Sequence, residues 1–285
     1  MKKPIKIVLI ILVVLIFASF FMGKSALKVD VVPTENSIAI LDMSGQIFDS
    51  KEFIENMELL KKNSFIKGVI IRIDSPGGAV NPSMQMYEFT RDFGKPVYAA
   101  MGSVAASGGY LLSLGAKKIY AEPSTITGSI GVIMNLVNTQ ELTDKIGLKN
   151  ITLKTGQFKD SGSPSREFTE DDRKVLSEVM FDMYKQFTDI VVERRKLPEK
   201  EVLKLADGRI YTGNMAKKVK LVDEIGSWRK AFEDMKIELG DNKLKKFEVL
   251  DQKTFFEKLI ATSIPTEIGK IINKETGFFY LSEIQ

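Results

Sequence analysis

The tract GSVAASGGY, Gly102 to Tyr110, surrounds Ser107 with residues too small to crowd its hydroxyl. A serine presented in this way suits nucleophilic attack, but its hydroxyl is a weak nucleophile until a base removes the proton. The 285-residue chain contains no histidine and no cysteine. That excludes a Ser-His-Asp triad, a Cys-His pair, His/Cys zinc sites and any disulfide framework. The base must then be a carboxylate, a lysine or a terminal amine. For a serine nucleophile, the residue types point to lysine.

Other tracts carry potential chemistry. DSPGG, Asp74 to Gly78, comes directly after an apolar run. Its glycines allow backbone N–H groups to face a ligand oxygen, although the same residues also make an ordinary strand-to-helix turn. Gly108 would open a helix directly after Ser107, where the helix dipole favours negative charge. Ser107 also suits the N-cap of that helix. TGSIG, Thr127 to Gly131, reads as a tight turn in which Ser129 could hydrogen-bond a base. QFKDSGSP, Gln157 to Pro164, contains Lys159, in a setting where a lysine is normally a surface charge. An exposed lysine titrates near ~10.4, so its neutral form at pH 7 costs about 4.6 kcal/mol. To act as a base, Lys159 is therefore expected in an apolar, water-poor pocket without a carboxylate partner. Asp160 adjoins it, but neighbouring side chains of an extended segment point to opposite faces, so the two need not pair.

These tracts need a frame. Ser37–Asp42, Gly68–Asp74, Lys95–Met101 and Lys118–Ala121 read as strands, the second a continuous β-branched run expected of a strand buried on both faces. Ser50–Lys62 and Asn81–Phe93 have helical spacing, and Ser107–Gly115 reads as a short helix. Val132–Leu136 and Asn150–Lys154 are expected as strands, separated by a helix near Thr139–Ile146. From Thr169 the pattern turns helical, with a threonine N-cap and acids in the first turn. The alternation predicts an α/β domain with a largely parallel sheet.

Hydrophobic residues make up 44% of the chain, enough for a substantial core, and a net charge of +4 is too mild to argue for nucleic acid. The cluster Lys243–Lys246 reads as a solvated helix face. Met1–Lys6 is basic, and Ile7–Gly23 is apolar except for Ser19. At ~1.5 Å per residue, Pro4 to Gly23 reaches across a hydrocarbon core of ~30 Å. The run ends in FFMGK, Phe20 to Lys24, without the small residues of a cleavage site, so an uncleaved anchor over residues 1–28 is expected, with residues 5–23 in the lipid bilayer. Lys2, Lys3 and Lys6 keep the N-terminal side cytoplasmic, which puts everything after Lys24 outside that membrane. No cysteine comes after the run, which excludes a lipoprotein anchor.

In their order and spacing, these tracts resemble the signal peptide peptidase A family, membrane-anchored Ser-Lys peptidases of bacteria, in its short single-repeat form. The resemblance covers roughly Ser37 to Gly226. It rests on Asp74–Gly78, Gly102–Tyr110, Thr127–Val132, Phe158–Glu167, and Ala206–Gly213 leading into Leu221–Gly226. It implies Ser107 as nucleophile, Lys159 as general base, Ser129 as helper serine and the Gly78 N–H as an oxyanion donor. A second donor, the Gly108 N–H, comes from the rule that the residue after the nucleophile often serves. The family more often has Asn where Asp74 stands, which leaves the glycines' backbone role untouched. The implied fold is Clp protease/crotonase-like, with stacked β-β-α units and a helical C-terminal part after one transmembrane helix. The resemblance further implies a ring-like homo-oligomer in which Ser and Lys meet across a subunit boundary. Its substrates would be cleaved signal peptides, its location the bacterial cytoplasmic membrane with the catalytic domain outside, and no cofactor or metal would be needed.

The expected organisation is an anchor at 1–28, a catalytic domain at 29–230 and a helical extension at 231–285. In the extension, Lys253–Asn273 has helical spacing broken by Pro265, and Phe278–Leu281 is an apolar patch. This piece suits docking on the catalytic domain or a neighbouring subunit, or contact with the membrane surface or substrate path. Two rival readings stand beside the peptidase. A crotonase-like acyl-CoA enzyme would share the glycine turn, but the anchor, Ser107 and Lys159 speak against it. A catalytically silent membrane scaffold is disfavoured by the presence of both Ser107 and Lys159.

Overall fold

The computed structural model describes residues 33–249 and 279–281. The expected anchor and the helical pattern at Lys253–Asn273 lie outside these residues. Among the described residues, no helix is long and apolar enough to cross a membrane.

Strands β1 (Ser37–Ser44), β2 (Ile66–Ser75) and β4 (Val97–Ala106) pair in parallel at the centre of an eight-stranded sheet. Helix α1 (Lys51–Lys62) joins β1 to β2. The short β3 (Gly77–Ala79) and α2 (Val80–Arg91) lead from β2 to β4. The central side chains divide between two cores. Ala39, Leu41, Val69, Ile71, Ile73, Ala99 and Met101 face one; Ile38, Ile40, Ile70, Tyr98 and Ala100 face the other. The second core is closed by Ala231 and Met235 of α8 (Trp228–Leu239). Burial on both faces is why these strands read as unbroken apolar runs.

The key irregularity lies in β4. Its first half, Tyr98–Met101, pairs with β5 (Lys118–Ala121), and its end, Val104–Ala106, pairs with β6 (Ile126–Gly128). Between them the register against β2 slips, with Ile73 opposite Met101 but Ser75 opposite Ala105. The extra residues bulge at Gly102–Val104, and the Asp74 carboxylate accepts a hydrogen bond of 3.0 Å from the Val104 N–H there. A bulge bends its strand and re-aims the residues beyond it. Here β4 leaves one neighbour for another and delivers its end to α3 (Gly108–Leu114).

Beyond β6 come α4 (Gln140–Lys145), the 26-residue α5 (Glu170–Arg195), α6 (Glu199–Leu205), β7 (Ile210–Thr212), α7 (Gly213–Lys218), β8 (Glu224–Ile225) and β9 (Lys245–Glu248). Helix α4 lies where a helix is expected, but residues 132–136 and 150–154 form no strands. Among the described residues neither segment pairs with a strand, and Ile151 and Leu153 are 84% and 94% exposed. The lysines of Lys243–Lys246 do not lie on a helix; they lead into β9, which pairs with β1 at the sheet's edge. Edge lysines discourage pairing with further chains. Helix α8 runs across the boundary expected at residue 230, and β9 lies beyond it. Finally, β10 (Phe279–Leu281) pairs antiparallel with β3, with Phe279, Tyr280 and Leu281 opposite Ala79, Gly78 and Gly77.

Candidate active site

Ser107 directly follows β4 and occupies the N-cap position of α3, yet its side chain caps nothing. Its backbone is held at φ 53°, ψ −116°, a region sterically hostile to a residue with a Cβ. Such a conformation costs on the order of 1–3 kcal/mol and persists only where the surroundings enforce it. The enforcement is visible. The Ser107 N–H donates to the Gly128 carbonyl at 2.7 Å, and the Ser107 carbonyl accepts from the Leu111 N–H at 2.8 Å. The hydroxyl is buried and has no hydrogen-bond partner among the described residues. An unpaired buried hydroxyl costs a further ~1–3 kcal/mol. Two penalties at one residue argue for a group held ready for chemistry rather than for a structural cap.

The glycines pack tightly around it. A Cβ on Gly78 would strike the backbone of Ile47, and a Cβ on Gly108 would strike the Ser83 hydroxyl and stand 3.2 Å from the Gly78 nitrogen. The backbones of β3 and α3 therefore meet directly beside Ser107; no larger residue fits at Gly78, and one at Gly108 would have to displace the Ser83 side chain. Gly108 is the first residue of α3, whose N–H lacks an intrahelical partner. Backbone N–H groups at Gly78 and Gly108, brought this near to a buried serine hydroxyl, are of the kind that can form an oxyanion site.

The tract Thr127–Gly131 is brought to the same place. Ala106 lies opposite Gly128 in the β4–β6 pair, and the Thr127 hydroxyl donates to the Ala105 carbonyl at 2.7 Å. Ser129 comes next with φ 51°, is buried, and donates its N–H to the Arg209 carbonyl at 2.9 Å. Beside it opens a cavity of about 670 Å³, lined by Ile130, Val132, Met180, Phe181 and Ile210 among others.

Lys159 is not in an apolar pocket of its own chain. It is exposed, on a succession of turns rather than an extended segment, and makes no side-chain hydrogen bond or ion pair among the described residues. Asp160 does leave it alone, but for another reason than alternation along a strand. The Asp160 carboxylate is taken by Lys154 Nζ at 2.6 Å and Arg166 Nη2 at 3.0 Å. These contacts, Arg166 first, bring it down to about 2.

The model of peptidase family S49 matches residues 90–241, more than half of the chain. The chain belongs to peptidase family S49. The Clp protease family model matches residues 28–127. The chain is 36% identical over 198 residues to an Enterococcus faecium protein with the provisional name signal peptide peptidase SppA, a match spanning 68% of this chain and 58% of that one. A provisionally named protease of Methanocaldococcus jannaschii is 34% identical over 249 residues, 79% of each chain. Protease 4 of Haemophilus influenzae is 35% identical over 210 residues, 69% of this chain and 34% of that one. A solved structure, a ClpP1 mutant from Listeria monocytogenes, aligns with TM-score 0.48 and 16% identity, covering 68% of this chain and 94% of that chain.

The S49 match takes in Ser107, Ser129 and Lys159, and the Clp protease match takes in Gly78 and Ser107. The S49 and Clp protease family matches agree with the α/β domain read from the sequence. Two features of this S49 chain escape sequence reasoning. One is Asp74, which secures the bulge before Ser107 and whose only signal is its place at the end of a buried strand. The other is the Arg166–Asp172 pair, in which a buried aspartate at the start of α5 is tied to the loop carrying Lys159.

Proposed function

We propose that this S49 chain is a membrane-anchored serine endopeptidase working through a Ser107–Lys159 dyad, with the lysine supplied by a neighbouring copy in a ring-like homo-oligomer. The observation that carries the reading is the strained, buried, unpaired Ser107 beside the paired Gly78 and Gly108 backbones. The Ser107 hydroxyl passes its proton to neutral Lys159 as Oγ bonds to the peptide carbonyl carbon. The carbonyl oxygen, now an anion, takes hydrogen bonds from the Gly78 and Gly108 N–H groups. Collapse breaks the C–N bond, and Lys159 returns the proton to the leaving amine. Water then attacks the acyl-enzyme by the same route in reverse. Ser129, beside the nucleophile's backbone, holds the lysine in position.

The exposure of Lys159 supports a composite site, because a base that needs a water-poor pocket must find its walls on another copy. The arm carrying it displays Ile146, Leu148, Ile151 and Leu153 to solvent in the isolated chain. Peptide substrates fit the edge of β3 along which residues 279–281 of the chain lie as an antiparallel strand, a place an extended peptide could take in their stead. The apolar recess beside Ser129 suits the apolar side chains of signal peptides left in the membrane. An anchor at residues 5–23 would hold the catalytic domain on the outer side of the bacterial cytoplasmic membrane, near such peptides. The division into anchor (1–28), catalytic domain (29–230) and C-terminal extension (231–285) belongs to the same proposal.

A fluorophosphonate probe tests the chemistry alongside peptide cleavage. Labelling and cleavage should both vanish in Ser107→Ala and in Lys159→Ala. A Ser107→Ala protein that still cleaves peptides would remove the nucleophile assignment. N-terminal sequencing of the mature protein tests the anchor, and a start near Ala26 would refute it.

A further inference from the structure

We propose that Arg166 is a positioning residue that withholds the Asp160 carboxylate from Lys159, leaving the lysine without an acidic partner. The inference rests on the reading of Lys159 as the general base. A carboxylate next to a lysine favours the charged ammonium, the form that cannot accept a proton. Asp160 is covalently adjacent to Lys159, so a device that keeps the two apart has a chemical purpose.

The geometry supplies the device. Arg166 Nη2 donates to the Asp160 carboxylate at 3.0 Å and to the Asp160 carbonyl at 3.2 Å. It therefore holds both the side chain and the backbone of the residue after the lysine. The same guanidinium is anchored from behind by Asp172, with Nη1 at 2.5 Å and Nη2 at 2.9 Å. Asp172 is buried and is fixed in turn by the Ser161 hydroxyl at 2.6 Å and by the N–H and hydroxyl of Thr169 at 3.1 and 2.9 Å. Arg166 Nε is also buried. The chain of contacts runs from the N-terminus of the long α5, through a partly buried guanidinium, to the turn bearing Lys159. A planar fork with several donors can grip two carboxylates and a carbonyl at once, which a lysine cannot.

The charged groups around this clamp are few. Lys154 shares Asp160 with Arg166 at 2.6 Å, and Arg173 pairs with Glu170 at 3.5 Å on the first turn of α5. Lys159 makes no ion pair among the described residues. Removing the arginine would leave Lys154 as the other cation on Asp160 and free the carboxylate to turn toward its neighbour.

The test is the pH dependence of kcat/KM for peptide cleavage by the full-length, assembled enzyme. In Arg166→Gln the acidic limb should move about one unit to higher pH, roughly a tenfold loss of rate on that limb. The double variant Arg166→Gln/Asp160→Asn should return the limb to its original position, even if the plateau rate stays low. Arg166→Lys should move the limb part of the way, because a single ammonium cannot hold Asp172, the Asp160 carboxylate and the Asp160 carbonyl together as the fork does. A limb that does not move in Arg166→Gln, or one that moves and is not restored by Asp160→Asn, would overturn the proposal. Lys159→Ala separates the two levels: retained activity there overturns the dyad itself, whatever Arg166 does.

Discussion

Ser107 and Lys159 sit in regions held together by different physics. Ser107 lies at the end of a buried parallel strand, walled by closely packed glycines and by a backbone hydrogen bond to β6. Lys159 lies on turns whose order comes from ion pairs and hydroxyls, while the neighbouring apolar residues point outward. The first region is complete within one chain, because the sheet supplies its core and its strain. The second is ordered but not enclosed. A nucleophile can be prepared by backbone alone, whereas a lysine base needs low-dielectric surroundings that this arm does not provide by itself.

The difference can be attacked from either side. Gly108→Ala should cost about 10²–10³-fold in kcat, since a Cβ there intrudes on Ser83 and crowds the Gly78 nitrogen, spoiling oxyanion donors. Steady-state kinetics with little change in KM would show that the loss lies in the transition state. Ile151→Asp with Leu153→Asp should leave the isolated fold intact by circular dichroism but reduce both oligomer mass and cleavage. An equivalent charge at the buried Val69 should unfold the protein. If the arm variants stay assembled and active, the outward apolar residues are not an interface. Ser107→Gly should abolish cleavage yet raise stability by about 1 kcal/mol, because glycine tolerates the positive φ without strain. Denaturant melts would read this gain.

The smallest effect should come from acid. Asp160 is brought down to about 2 and Asp172 lies well below the usual carboxylate range, both chiefly through Arg166. Depressed carboxylates stabilise the fold fully above about pH 3.9, and that support is lost as pH falls through their folded-state values. Hydrogen exchange should therefore show residues 154–168 losing protection between about pH 4 and 2 before β4 does. Simultaneous loss in both regions would remove the distinction between a polar-locked arm and a core-locked strand.

Legibility in the sequence divides along the same line. The central strands announce themselves because both faces are buried, so Gly68–Asp74 reads as a strand from its β-branched run alone. The serine and glycine tracts are legible because close backbone approach demands small residues. The arm misleads, because the apolar residues at 132–136 and 150–154 imitate strands, while Val132 packs only partly against the core and Ile151 and Leu153 stand in solvent. Burial expected for Lys159 is absent for the same reason. The N-cap threonine at 169 and the acids after it are visible in the sequence, but the capping box with Asp172 and the bond of Asp172 to Arg166 show only once the loop folds back. Lys243–Lys246 has a charge pattern that fits a helix face or an edge strand equally well, and only the pairing of β9 with β1 decides it.

The central claim is that nucleophile and base come from different copies, and mixing inactive variants tests it most directly. Neither Ser107→Ala nor Lys159→Ala alone should cleave peptide. After subunit exchange at equal amounts, verified by native mass spectrometry, random neighbours in a ring should restore about one quarter of the sites, the product of two one-half chances. Mixed oligomers that remain inactive would contradict the composite site and return Lys159 to its own chain's Ser107.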